Sequence, residues 1–210
     1  DVERHELMKL RCLNGTHSAL AYLGYLAGYE TISDAVSDPA FKRLCERLWQ
    51  NEILPTVPQP EGEDLPAYCA ALMSRYCNPA IQHRTWQIAM DGSQKLPQRI
   101  LGTLRDIVAA GRMPRGLCLV IAGWMRYVAG TNEAGQAIDV RDPMANQLKV
   151  AARSADPVTA LLSIEAIFGS DLAGNADVVA AIQSAYRQLL GDGAAKTVRA
   201  YLEQTPTMQC

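Results

Sequence analysis

Nothing in this sequence is long and apolar enough to cross a bilayer. Its longest apolar run, around Gly116–Trp124, is about nine residues and is broken by glycine, against the ~18–20 that a spanning helix needs. Neither charge is in excess: 20 Lys+Arg stand against 22 Asp+Glu, a formal charge of −2, which removes the electrostatic case for nucleic acid as a partner. Histidine is scarce, and His5, His17 and His83 are too scattered for an obvious metal site. There is no Cys-x-x-Cys and no Cys/His cluster with zinc-ligand spacing. Six cysteines occur (Cys12, Cys45, Cys69, Cys77, Cys118 and Cys210) at irregular intervals, several inside helical apolar patterns. They read as free thiols of a cytoplasmic protein rather than a disulfide framework. Also missing is a Gly-x-Gly-x-x-Gly turn after a strand. Gly191-Asp192-Gly193 lies between two helical patterns and reads as a C-cap to N-cap junction. No dinucleotide-binding unit is therefore expected in this chain. It opens on Asp1 without a leader pattern and reads as a fragment or trimmed product.

What is present is helix, with 49% hydrophobic residues over 210 positions, enough for one sizeable core. The stretch Lys9–Tyr29, KLRCLNGTHSALAYLGYLAGY, predicts a helix, and Gly15, Gly24 and Gly28 in it predict close approach by another helix or a ligand. Ser33-Asp34 offers an N-cap, and Ser37-Asp38-Pro39 a second one opening a helix to about Leu54. The proline-rich 55–66 segment reads as a loop and the best candidate for an internal boundary. Leu65–Tyr76 is helical by periodicity. Residues 78–100 open helically, break at Asp91-Gly92-Ser93, and restart after Pro97 as a helix to about Ala110. Leu117–Gly130 is apolar nearly all round, as in a central buried helix. The polar 131–147 stretch suggests a short hairpin or lid. Helices are expected from Asp156-Pro157 to about Phe168, from Asn175 to Leu190, and from Gly193 to about Gln204. The fold class is mainly α.

Three constellations could carry chemistry. Lys9, Asn14 and His17 fall within about 140° of arc on an ideal helix, with Asn14 about 140° and His17 about 80° from Lys9. Oxidising a secondary alcohol by hydride transfer needs a base for the hydroxyl proton and neutral donors for the developing alkoxide. A lysine in an apolar setting, beside an amide and an imidazole, fits those roles. Three such residues also meet on partly buried helices by chance. The second constellation is Asp91-Gly92-Ser93-Gln94-Lys95 with Arg99 beyond and His83 and Arg84 before. It reads either as a capped helix start or as a cationic loop for the hydroxyls or carboxylate of a sugar substrate. The third, Trp124, Arg126 and Tyr127 with Asp139, Arg141 and Asp142, reads as structure, with Arg126 pairing to one of the aspartates.

The first stretch, then NPAIQHRTWQIAMDGSQKLPQR, and later AGWMRYVAG and AIDVRDP, resemble the C-terminal half of the polyol-specific long-chain dehydrogenases, the mannitol 2-dehydrogenase and fructuronate reductase family. The likeness runs over essentially the whole chain, and DGSQKLPQR and GWMRYVAG are most similar to the fructuronate reductase branch. It implies a multi-helical domain of the 6-phosphogluconate dehydrogenase C-terminal type, with a separate N-terminal Rossmann domain absent here. It implies Lys9 as general acid/base, Asn14 in the oxyanion-stabilising pair and His17 on a substrate hydroxyl. Lys95, and Arg99 beside it, match the loop that holds the far end of the substrate. It further implies NAD or NADP bound mainly by the absent domain, metal independence, and often a monomer. A sugar acid (fructuronate/mannonate) is the expected substrate, fructose/mannitol the alternative. A non-catalytic helical ligand-binding or dimerisation module is the rival of another class.

Overall fold

The computed structural model describes residues 1–206, so Cys210 lies outside the described residues. Among these no β-strand forms; two isolated bridges, Thr31 to Arg84 and Thr131 to Ala137, are the extended pairings. The chain is a stack of helices. α1 runs through residues 2–26 and is not uniform: Val2–Met8 and Gly15–Ala19 are α-helical, while Lys9–Asn14 and Leu20–Gly24 are π-turns. α2 is Ile32–Ser37, and α3 joins Pro39–Leu48 to a π-turn at Trp49–Ile53. α4 is Leu65–Tyr76 and α5 the short Thr85–Ile88. α6 joins Gly92–Leu96, a π-turn at Pro97–Leu101, and Gly102–Ala109. α7 is Arg115–Val128, α8 Ala145–Ala152, α9 Pro157–Leu162, α10 Glu165–Phe168, α11 Ala176–Asp192 and α12 Ala194–Gln204.

α7 is the axis of the core. From Gly116 to Val128 only Arg126 escapes burial, and α7 packs most extensively along α11, with the second half of α1 on another side. The other apolar faces converge on the same cluster, including Phe41 and Leu44 of α3 and Val198 of α12. The proline-rich 55–66 segment runs from a 3-10 turn at Leu54–Thr56 through a loop into the start of α4, and it is not a boundary: Val57 and Leu65 sit in this one core.

Several local expectations give way to identifiable physics. Thr31, not Ser33, caps α2, its hydroxyl accepting from Asp34 N at 3.0 Å; Asp38 caps α3 as read. Residues 78–84 form turns rather than helix, with the Asn78 side chain taking Ala80 N. α6 begins at Gly92 and carries Pro97 inside it. The proline lacks an N–H to donate, and the helix passes it by widening into a π-turn instead of starting over. The 157–168 helix splits at Ser163-Ile164. Arg126 donates to the carbonyls of Thr131 and Asn132, not to an aspartate, and so ties the 131–137 turn to the end of α7. Gly15 and Gly24 are close-approach positions as expected. A Cβ on Gly15 would lie 3.2 Å from the Arg99 carbonyl, and one on Gly24 3.3 Å from Ala35 Cβ. Gly28 instead has open space and φ +93, ending α1 in a left-handed turn.

Candidate active site

The π-turn at Lys9–Asn14 changes the helical arithmetic. A π-turn bonds residues five apart, as an α-turn bonds residues four apart. Lys9 and Asn14 therefore share a side, where a regular helix would separate them by about 140°. They line one surface depression of about 420 Å³ with Glu3, Glu6, Leu7 and Leu10. His17 follows Asn14 by three residues in the next α-helical turn, which keeps it on that side. The apolar setting expected around Lys9 is not found within this chain: Lys9 is exposed, and Glu3 and Glu6 border the same hollow.

His17 has different surroundings. Its ring stacks on Tyr76, with centroids 5.1 Å apart and planes 21° apart, and meets His83 edge-on at 5.7 Å. Burial, reinforced by His83, Arg99, Arg75 and Lys95, holds its pKa down to about 4. The imidazole is therefore neutral at pH 7, with one nitrogen to donate and one to accept.

α6 brings the second constellation to it. The close contact of Gly15 with the Arg99 carbonyl sets the crossing of α1 and α6, and Arg99 Nη1 reaches Ser18 Oγ at 3.4 Å. Lys95, one turn earlier, donates to the Ile88 carbonyl at 3.3 Å. Both cations are half-buried. Burial and then the Arg99 charge pull the Lys95 pKa down, with Asp91 opposing; burial also lowers that of Arg99. Among the described residues neither forms an ion pair. A pair of desolvated cations without a carboxylate partner is suited to an anionic ligand.

The remaining predicted site residues divide. Asp91 is exposed in a left-handed conformation (φ 57), its carbonyl accepting from Gln94 N and Lys95 N. Ser93 was expected to meet substrate, but it is 2% exposed and committed elsewhere. Its amide and hydroxyl donate to the two oxygens of Asp142, at 2.9 and 2.5 Å. Asp91 N donates to the Arg141 carbonyl at 2.9 Å, so residues 141–142 hold the start of α6 from outside. Gly92 is required beneath: a Cβ there would meet Trp124 Nε1 at 2.5 Å and Tyr22 Oη at 2.7 Å. Arg84 does not join the His17 cluster. It is exposed and lines a separate cavity of about 390 Å³ with Tyr25, Glu30 and Trp86.

Sequence reasoning missed Tyr76, and it read Asp142 as structural without seeing that its partner is Ser93. Tyr76 gave only an apolar position in a helical period, and Asp142 caps a helix 49 residues before it. No group of three or more candidate metal ligands occurs among the described residues.

The arrangement offers an exposed amine and an amide, a neutral imidazole and two cations without an ion pair among the described residues, along one side of α1 and α6. Known proteins carry the same framework. Residues 1–190 match the family model "Mannitol dehydrogenase C-terminal domain". A D-mannonate oxidoreductase of Escherichia coli is 52% identical over 203 residues, 95% of this chain and 42% of that protein. A mannitol 2-dehydrogenase of Phaeosphaeria nodorum is 37% identical over 200 residues, 95% of this chain and 35% of its own length. The solved ternary complex of Pseudomonas fluorescens mannitol 2-dehydrogenase with NAD and D-mannitol superposes with a TM-score of 0.94 at 32% identity, covering 98% of this chain and 42% of that one. The chain thus spans less than half the length of these relatives. By the match of its sequence and its helical fold, it belongs to the mannitol dehydrogenase family, whose C-terminal domain it represents.

Proposed function

We propose that residues 1–210 are the substrate-binding and catalytic half of an NAD(P)-dependent secondary-alcohol dehydrogenase that interconverts D-fructuronate and D-mannonate. When bound, the nicotinamide supplies the hydride acceptor or donor, and a further N-terminal domain of Rossmann type holds most of it. The residues of this chain suit the other roles. Lys9 takes the hydroxyl proton in oxidation and returns it in reduction. Asn14 donates to the developing alkoxide. His17, neutral at pH 7, binds a substrate hydroxyl near the reacting carbon. Lys95 and Arg99 hold the carboxylate at the far end. That last pair carries the reading: two half-buried cations with no ion pair among the described residues favour a sugar acid over an uncharged ketose. The 52% identity to a D-mannonate oxidoreductase supports the same choice.

Steady-state kinetics of the full-length enzyme on fructuronate and fructose test it, with the higher kcat/KM expected for the uronate; a clear preference for fructose overturns it in favour of a mannitol 2-dehydrogenase. The 210-residue chain alone should fold without turning over, and NADH-dependent reduction of fructuronate by it would refute the division of labour.

A further inference from the structure

π-turns are rare and occur mostly as single turns inside α-helices, and carbonyls freed there from the α-helical ladder must find other partners. Between Lys9 and Asn14 the holding groups are visible. The Cys12 carbonyl accepts from Thr16 Oγ1 at 2.8 Å and from Trp49 Nε1 at 2.9 Å. The Leu13 carbonyl accepts from the Tyr76 hydroxyl at 3.1 Å, and the Tyr76 and Thr16 oxygens are 2.8 Å apart. The protons balance. Thr16 donates to Cys12, while Tyr76 shares its single proton between the Leu13 carbonyl and the Thr16 oxygen.

Tyr76 also acts through its ring, which lies nearly parallel to the His17 imidazole, with Trp49 stacked on it at 6.3 Å and 22°. It is 4% exposed and is the last residue of α4, an element that contributes none of the groups assigned to substrate. We propose that Tyr76 is a positioning residue: its hydroxyl holds the π-turn that sets Lys9 and Asn14 on one side, and its ring fixes the plane of His17. The geometric part stands without the proposed function; its effect on catalysis rests on the roles proposed for Lys9, Asn14 and His17.

Two variants separate this from ordinary core packing. In Tyr76→Phe the ring stays and the hydroxyl goes. NMR of the 210-residue chain should then show the ring-current shift of the His17 protons retained. Amide exchange across residues 12–18 should speed up by about tenfold or more, as for a lost hydrogen bond of ~1.4 kcal/mol. In Tyr76→Leu both signatures should be lost; if that variant does not fold, the exchange rates of Tyr76→Phe decide alone. Unchanged exchange in Tyr76→Phe, with only a lower melting temperature, overturns the proposal. In the full-length enzyme Tyr76→Phe should lower kcat more than it raises KM for the uronate, because the lost hydroxyl held Lys9 and Asn14 while the retained ring still fixes His17. Altered amide exchange with unaltered kinetics would uphold the positioning and reject the roles given to Lys9 and Asn14.

Discussion

α1 and α7 pack against each other in one core yet are built on different rules. α7 is regular from Arg115 to Val128 and buried on nearly every side. Its first amides are satisfied by one carboxylate: Glu52, 4% exposed, accepts from Gly116 N at 2.8 Å and Leu117 N at 2.9 Å. α1 twice widens to a π-turn, keeps polar groups along one side, and has its spare carbonyls covered by side chains from α3 and α4. Where only packing matters, the helix repeats every 3.6 residues. Where α1 keeps Lys9, Asn14 and His17 along one side, the repeat is broken and neighbouring elements hold the break.

The contrast can be tested, taking the largest expected effect first. Lys9→Ala in the full-length enzyme should lower kcat on the order of 10²-fold or more while leaving the melting temperature in place, since Lys9 is exposed. Unchanged turnover would favour the non-catalytic helical module. Arg99→Met or Lys95→Met should raise KM for fructuronate roughly tenfold or more, as for the loss of a charge-assisted hydrogen bond. The effect on fructose should be much smaller, and equal losses on both would remove the carboxylate from the reading.

On the α7 side, Glu52→Gln should leave kcat alone and cost about 1–3 kcal/mol in denaturant unfolding, because one of two buried amides loses its acceptor. The two regions should also titrate with opposite sign. Burial raises the Glu52 pKa to about 7 from an ordinary 4.5, so its contribution is fully present below pH 4.5 and is lost as pH rises through 7. His17 is lowered from 6.5 to about 4, so its contribution is present above pH 6.5 and is lost as pH falls through 4. Unfolding free energies across pH 4–8 should show the first slope vanish in Glu52→Gln and the second in His17→Asn. A single slope surviving both substitutions would discard the assignment.

This division also explains what could be read from the sequence. α7, the Asp38-Pro39 cap, the start of α11 at Asn175 and the junction at Gly193 were legible because each obeys a local rule of period or cap chemistry. Lys9, Asn14 and His17 were grouped on a 3.6-residue wheel, which set Lys9 and Asn14 farther apart than the π-turn does. Pro97 was read as a helix start because a proline inside a helix usually ends it, and nothing local announces the π-turn that lets it pass. Ser93 looked like a ligand because its partner lies 49 residues downstream. The misses are side chains engaged by distant segments, which no local period encodes.

The π-turn at Lys9–Asn14 makes the two helices unequal in their tolerance of length. It amounts to one residue more than an α-turn needs. Deleting a residue between Lys9 and Asn14 would let that turn close to ordinary α geometry with the lysine and the amide still one turn apart. The same deletion in α7 would rotate every later residue by about 100° and swing Trp124 and Tyr127 out of the core. The helix that carries the proposed site has slack in its count, and the helix that carries the fold has none.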